Sequence, residues 1–386
     1  MKIILTTLLV FSSLALQAQR FKVGAYLSGD SLVVAERISA KKITHLHYTF
    51  ACVEKGEVVT GTNDSINLSK LTALKSINPK LKVLIAIGGA KGSAGFSEAV
   101  RSDSSREKLA LSMISYVKKH ALDGIEIHWT QKARGMFGNA FNAKDQHNLV
   151  LLLQTLREKL NQQSKLDGRE KKKRYILCMS GSSQRQYLFR SELNVAHQYL
   201  DYINLQTFDY KVEILNAAGV SSTQVTGHHS NLFPSRSDSW MRLCVNRTVQ
   251  EYITHTIPSR KLVMGIAFYG QGWSNAYEDV NGLYQWAESK LTDDLSYKNI
   301  VAKYLTQPDG IQYWDKQAKV PYLYNQKTGT FISYDNKKSI RKKTRYVHRH
   351  RMGGAFCVDY RQDDHNTLLK PMRRGLRRIR LPFIFF

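Results

Sequence analysis

The stretch Asp123-Gly124-Ile125-Glu126-Ile127-His128-Trp129-Thr130 holds the residues best placed to do chemistry. It alternates with a period of two, so Ile125, Ile127 and Trp129 share one side of a strand and Glu126, His128 and Thr130 the other. A parallel strand covered on both faces normally reads as an unbroken apolar run. A carboxylate, an imidazole and a hydroxyl in one row cost stability unless they pair with one another or react. The stretch therefore marks a candidate site, and acid–base chemistry is what such groups would support.

Chemistry of that kind needs a rigid frame, and the rest of the chain reads as one. Short apolar runs alternate with amphipathic helices, the pattern of βαβ units around a parallel sheet. Strands are expected at 21–27, 43–51, 81–88, 123–130, 174–180, 202–207, 261–268 and 353–359. A helix is expected to open near Ser104 with Glu107 completing a capping box. Another should begin near Asp145 with Leu149, Leu152, Leu153, Leu156 and Leu160 on one face. The fold class that follows is α/β, a (β/α)8 TIM barrel. Residues 269–335, too long for a simple βα unit, read as a small α+β insertion between strands seven and eight. The barrel then takes 19–268 and 336–370, and the basic, aromatic tail 371–386 has no clear place in it.

With 386 residues the chain is long enough for one large barrel. Residues 1–18 have the Lys, the apolar run and the small terminal residue of a secretory signal peptide, cut after Ala18, so the protein should be secreted or periplasmic. No later apolar run reaches the length of a membrane span. Cys52, Cys178, Cys244 and Cys357 show no paired spacing and read as buried thiols, and neither a metal-ligand cluster nor a cofactor motif is evident. The formal charge of +26 concentrates at Lys171-Lys172-Lys173-Arg174, along 337–351 and in 370–380. Such a field attracts anionic glycans or acidic surfaces, although solvated helix faces account for it more plainly. Without zinc-finger spacing or an RNA-binding aromatic motif, no specific nucleic-acid role is expected.

The stretch at 123–130 resembles the strand-four signature of the family 18 glycoside hydrolases, the chitinases, which runs Asp-Gly-x-Asp-x-Asp-Trp-Glu. The resemblance extends over about 21–370. Thr44-His45-Leu46-His47-Tyr48-Thr49-Phe50-Ala51 is similar to the family's second strand, and Leu84-Ile85-Ala86-Ile87-Gly88-Gly89 to its third. The run from Tyr199 to Asp209 resembles the strand-six Met-x-Tyr-Asp segment. The run from Val263 to Trp273 resembles strand seven with its Tyr-Gly-Arg. The resemblance implies substrate-assisted hydrolysis, in which the motif's Glu protonates the leaving oxygen and the sugar's N-acetyl oxygen attacks.

At the residues that would do this, the sequence departs from the pattern. Thr130 stands at the proton donor, whose contribution to rate is about 10²–10⁴. His128 replaces the Asp that holds the acetamide, and Phe208 replaces the Tyr that hydrogen-bonds it. Gln206 stands for a Met, Gln271 for an Arg, and Val358 for the Trp that floors the subsite. Asp123, Tyr26, Asp209 and Tyr269 are kept, and Phe50 lies at the end of the second strand. Glu126 and His128 should form a buried pair, because His128 as a substitute acid would lie a pleat, roughly 6.5–7 Å, deeper than position 130. Trp129 should be core between strand and helix. Trp273 and Trp314 fit a groove rim and an insertion core equally well, and His228-His229 should serve structure or groove contact.

The expected function is that of a secreted chitinase-like protein, catalytically inactive, whose binding of chitin or N-acetylglucosamine oligosaccharides is weakened or lost. Two other readings stay open. One is a slow hydrolase with a rewired acid. The other is a barrel carried by its basic surface to a polyanionic or protein partner. Fold by itself does not choose among them.

Overall fold

The structure, a computed structural model, describes residues 21–129, 144–169, 173–189, 191–210, 214–215, 221–222, 225–238 and 243–377. Residues 1–18, expected to be a signal peptide, and Thr130 lie outside these. Barrel strands are β1 (Lys22–Ser28), β2 (His45–Glu54), β3 (Lys82–Gly88), β4 (Gly124–His128), β5 (Ile176–Gly181), β6 (Tyr202–Leu205), β7 (Leu262–Ala267) and β8 (Gly354–Val358). Each pairs in parallel with the next, and β1 pairs with both β2 and β8, which closes the (β/α)8 barrel. The outward residues of these strands join the helices in one large core. The lumen has its own filling of Tyr26, Leu84, Cys178, Tyr202, Phe208, Val263 and Phe356. A barrel of this kind is a packed solid with its working surface at the C-terminal strand ends.

The covering helices include α1 (Asp64–Ala73), α2 (Asp103–Lys119), α3 (Asp145–Leu166), α4 (Val245–Thr254), α5 (Lys337–Arg349) and α6 (Leu369–Arg377). In α3 the Leu149, Leu152, Leu153, Leu156 and Leu160 face is buried. The capping box of α2 is formed by Ser102 and Ser105, not by Ser104 and Glu107. Ser102 has the extended backbone that an N-cap requires, whereas Glu107 reaches outward to Lys159. The tail also departs from expectation as far as Arg377. Residues 369–377 fold as α6, which buries Leu369, Met372 and Leu376 and packs on α5. Its basic residues fall on the other side, which is why composition obscured the helix.

Between β7 and β8 lies an antiparallel sheet of Gln271–Ser274, Ser289–Lys290, Gly310–Asp315, Val320–Asn325 and Thr330–Ser333. Trp273 is buried in its core against Phe331, while Trp314 lies under Lys338 Nζ at 3.9 Å from the ring centroid. No helix among the described residues is long and apolar enough to cross a membrane.

Candidate functional site

The groove is built from the last residues of the barrel strands and the loops after them. Deepest lies Glu126 on β4, wholly buried, whose two oxygens are taken by different strands. Tyr26 of β1 donates to Oε1, and His47 Nδ1 of β2 stands 2.5 Å from Oε2. Asn204 of β6 completes the cluster, with Nδ2 at 3.3 Å from Glu126 Oε2 and 2.9 Å from the Tyr26 oxygen. Burial by itself would raise the Glu126 pKa. The charge and hydrogen bond of His47, with the charge of His128 and the hydrogen bond of Tyr26, together outweigh it and hold the carboxyl below its ordinary value. Glu126 is therefore an ionised, fully engaged carboxylate.

The expected Glu126–His128 pair is present only as a long ion pair without a hydrogen bond between the two. His128 Nδ1 stays 4.0 Å from Glu126 Oε1 and has no hydrogen-bond partner among the described residues. Alternate residues on one strand are separated by the pleat, whereas inward residues of different strands converge on the barrel axis. His128 turns instead to Gln206, whose side-chain amide lies 2.9 Å from Nε2 and 3.0 Å from Ser180 Oγ. The ring of Phe50, 41% exposed, meets His128 edge-on at 4.9 Å. Burial lowers the His128 pKa, and the attraction of Glu126 offsets this only in part.

A second cluster occupies the β6–β7 side of the mouth. The Asp209 carboxylate accepts from Tyr269 Oη and from Gln271 Nε2, each at 2.7 Å, and His229 Nδ1 lies 3.7 Å away. Burial pushes Asp209 up, but His229, Tyr269 and Gln271 together hold it below its ordinary pKa. His228 reaches across to Asp315 of the insertion at 3.2 Å, a structural tie. Phe208 packs on Phe356 and Tyr269, and Val358 lines the same apolar patch. Where Tyr269 and Gln271 pass into the insertion there is a cavity of about 250 Å³, also lined by Lys290, Asp294 and Gln362. Two lining groups, Ser296 Oγ and Gln271 Oε1, are buried without a partner among the described residues.

Asp123 is placed elsewhere. It precedes β4 at the opposite end of the barrel, where its buried carboxylate accepts from Val83 N and faces Arg169 at 2.6 Å and Lys75 at 2.7 Å. Its neighbour Gly124 is required because a Cβ there would lie 2.2 Å from Ile176 O on β5. The first half of the motif thus locks the strand, and only the second half faces the groove.

His47, Asn204 and Ser180 were not singled out from the sequence. Each was findable as a polar residue at an inward position of an otherwise apolar strand. The fold also brings His47, Glu126 and Cys178 together with ligand atoms within 4.8 Å, a set that spacing in the chain does not reveal. Burial raises the Cys178 thiol well above its ordinary pKa, and His47 already contacts the carboxylate directly.

With this geometry in place, the likeness to other proteins can be read. A family model described as glycosyl hydrolases family 18 matches residues 22–363. Chitinase A1 of Niallia circulans is 30% identical over 323 residues, covering 80% of this chain but 44% of that protein, so the chain spans less than half the length of this relative. The family 18 N-acetylglucosaminidase of Paenibacillus barengoltzii superposes with a TM-score of 0.81 at 32% identity, covering 92% of this chain and 99% of that one. Human YKL-39, described as a pseudo-chitinase with retained chitooligosaccharide binding properties, superposes with a TM-score of 0.78 at 25% identity, covering 92% and 99%.

Proposed function

The chain belongs to family 18 of the glycosyl hydrolases, and from that premise we propose that it is a secreted, catalytically inactive member whose groove binds N-acetylglucosamine oligosaccharides. The observation that carries the reading is the state of Glu126. It is the motif's carboxylate in the lumen, and it is ionised, enclosed and engaged by Tyr26, His47 and Asn204. A general acid has to carry a proton near the working pH and reach the leaving oxygen, and Glu126 does neither. Position 130, where the resemblance puts the donor, holds a threonine, whose hydroxyl has no useful acidity near neutrality. His128 is no substitute, because burial favours its neutral form.

Binding is supported by what the groove keeps. Asp209, Tyr269 and Gln271 form a polar cluster at the mouth, and the adjoining cavity offers the free Ser296 and Gln271 oxygens. Such convergent polar groups beside aromatic surface suit a sugar better than an apolar ligand. That human YKL-39 is described as keeping chitooligosaccharide binding while being a pseudo-chitinase supports the same division. Export rests on residues 1–18.

The test is calorimetric binding and chromatographic turnover of the N-acetylglucosamine tetramer with the mature chain, residues 19–386. Binding without product release is expected. Release of products, abolished by His128→Gln or Glu126→Gln, would overturn inactivity. Absence of binding at millimolar tetramer would overturn the glycan role.

A further inference from the structure

On the outside of the barrel, far from the groove chemistry, α5 and α6 lie side by side and carry no acidic residue between them. Arg341, Arg345 and Arg349 recur every four residues on α5, all exposed, and so form one row with steps of about 6 Å. Lys370, Arg374 and Arg377 are exposed along α6. Among the described residues none of these six side chains has an anionic partner. Of the neighbouring carboxylates, Asp364 is exposed, whereas two others are engaged by the protein itself. Asp335 is buried on Lys343, and Asp363 accepts from the backbone of Leu368 and Leu369.

The two rows are fixed relative to each other. The helices approach so closely that a Cβ on Gly375 would lie 2.2 Å from Thr344 Oγ1, and His348 Nε2 contacts Gly375 O at 2.8 Å. Part of the arrangement works against helix stability, although Arg349 on α5 and Arg374 and Arg377 on α6 lie in last turns, where they favour the dipole. Like charges four residues apart repel, and Lys337 and Lys338 in the first turn of α5 oppose its dipole. The fold draws nothing from this repulsion, which points to a partner that relieves it.

We infer that the α5–α6 face docks the protein on a bilayer surface rich in anionic headgroups. Two basic rows held side by side on one outer face present several charges to a surface at once, which suits an array of headgroups. The sequence after α6 favours the same partner. Arg378-Ile379-Arg380 is followed by Leu381-Pro382-Phe383-Ile384-Phe385-Phe386, which is uncharged, apolar and aromatic. Basic clusters next to aromatic and aliphatic residues are the composition of surface-seeking segments, in which charge attracts the protein and apolar groups enter the interface. This surface is separate from the sugar groove, so either site would operate if the other were absent.

Vesicle co-sedimentation of residues 19–386 tests the inference, using phosphatidylcholine alone and a 7:3 mixture with phosphatidylglycerol. Binding to the mixed vesicles should exceed that to neutral ones by at least roughly tenfold at 100 mM salt. The quadruple variant Arg341→Glu, Arg345→Glu, Lys370→Glu, Arg374→Glu should lose about a hundredfold of that affinity. The matching quadruple Gln variant should lose less, and unchanged circular dichroism in either variant confirms folding. Removal of 378–386 should abolish the fraction still bound at 500 mM salt, where screening suppresses charge attraction. Equal binding to neutral vesicles, no loss on charge reversal, or tight binding to soluble heparin without vesicle binding would each overturn the proposal.

Discussion

His47 Nδ1 on β2 lies 2.5 Å from Glu126 Oε2 on β4, so two strands that are not neighbours are tied across the lumen above β3. Ala86 stands level with Glu126 on the intervening strand, and its single methyl leaves room for the contact. Both side chains are wholly buried. Removing His47 is costly because Glu126 then keeps its buried charge with only the Tyr26 and Asn204 hydrogen bonds to offset it. His47→Ala should therefore lower unfolding free energy by about 3 kcal/mol in urea denaturation, with the slope against denaturant unchanged.

Glu126 also gives stability a pH dependence. Its folded pKa lies below the ordinary value, so the unfolded chain binds the proton more readily. The stabilisation is complete above the ordinary carboxylate range and is lost as pH falls through the folded pKa. Glu126→Gln should flatten the acid limb of a stability–pH curve, measured against the parent between pH 6 and pH 3.

His128 acts in a different window. Its folded pKa is lowered from 6.5, so it contributes full stability above that value and loses it as pH falls toward the folded pKa. His128→Gln should reduce the loss of stability just below pH 6.5. Nuclear magnetic resonance should show the His128 ring titrating below 6.5.

Lys343 Nζ of α5 and Asp335 Oδ2, just before that helix, meet at 2.5 Å with both side chains fully buried, and Asp335 also accepts from Ser230 and Ser339. Asp335→Ala strands a buried ammonium and should cost about 3–5 kcal/mol. Lys343→Met leaves the carboxylate its two hydroxyl donors and should cost less. Thermal unfolding of the two variants side by side checks the order.

Activity should return only in combination. Thr130→Glu by itself restores a proton donor but leaves the acetamide unsupported by His128 and Phe208. Adding His128→Asp and Phe208→Tyr should raise turnover of the N-acetylglucosamine tetramer by about 10²-fold or more over the single variant. Product chromatography on the single and triple variants separates a groove that still positions sugar from one that does not.

The barrel was legible because its information is local. Runs such as 81–88 and 261–268 are apolar on both faces, which only a strand buried between lumen and helices tolerates. The departures from the family's motif were legible for the same reason, since Thr130, Phe208 and Val358 are identities and need no coordinates. Helix α6 was hidden because its charged side dominates its composition while three apolar contacts place it.

What the sequence could not supply was the choice of partners inside the barrel. Period-two alternation correctly put Glu126 and His128 on one face, but which groups meet there depends on how the sheet closes. Closure brought His47 and Asn204, distant in the chain, closer to Glu126 than its own neighbour, and sent His128 to Gln206. It also carried Asp123 to the far end as a lock. Alternation along a strand sets the direction of a side chain, whereas the curvature and register of eight strands set the distance between two of them.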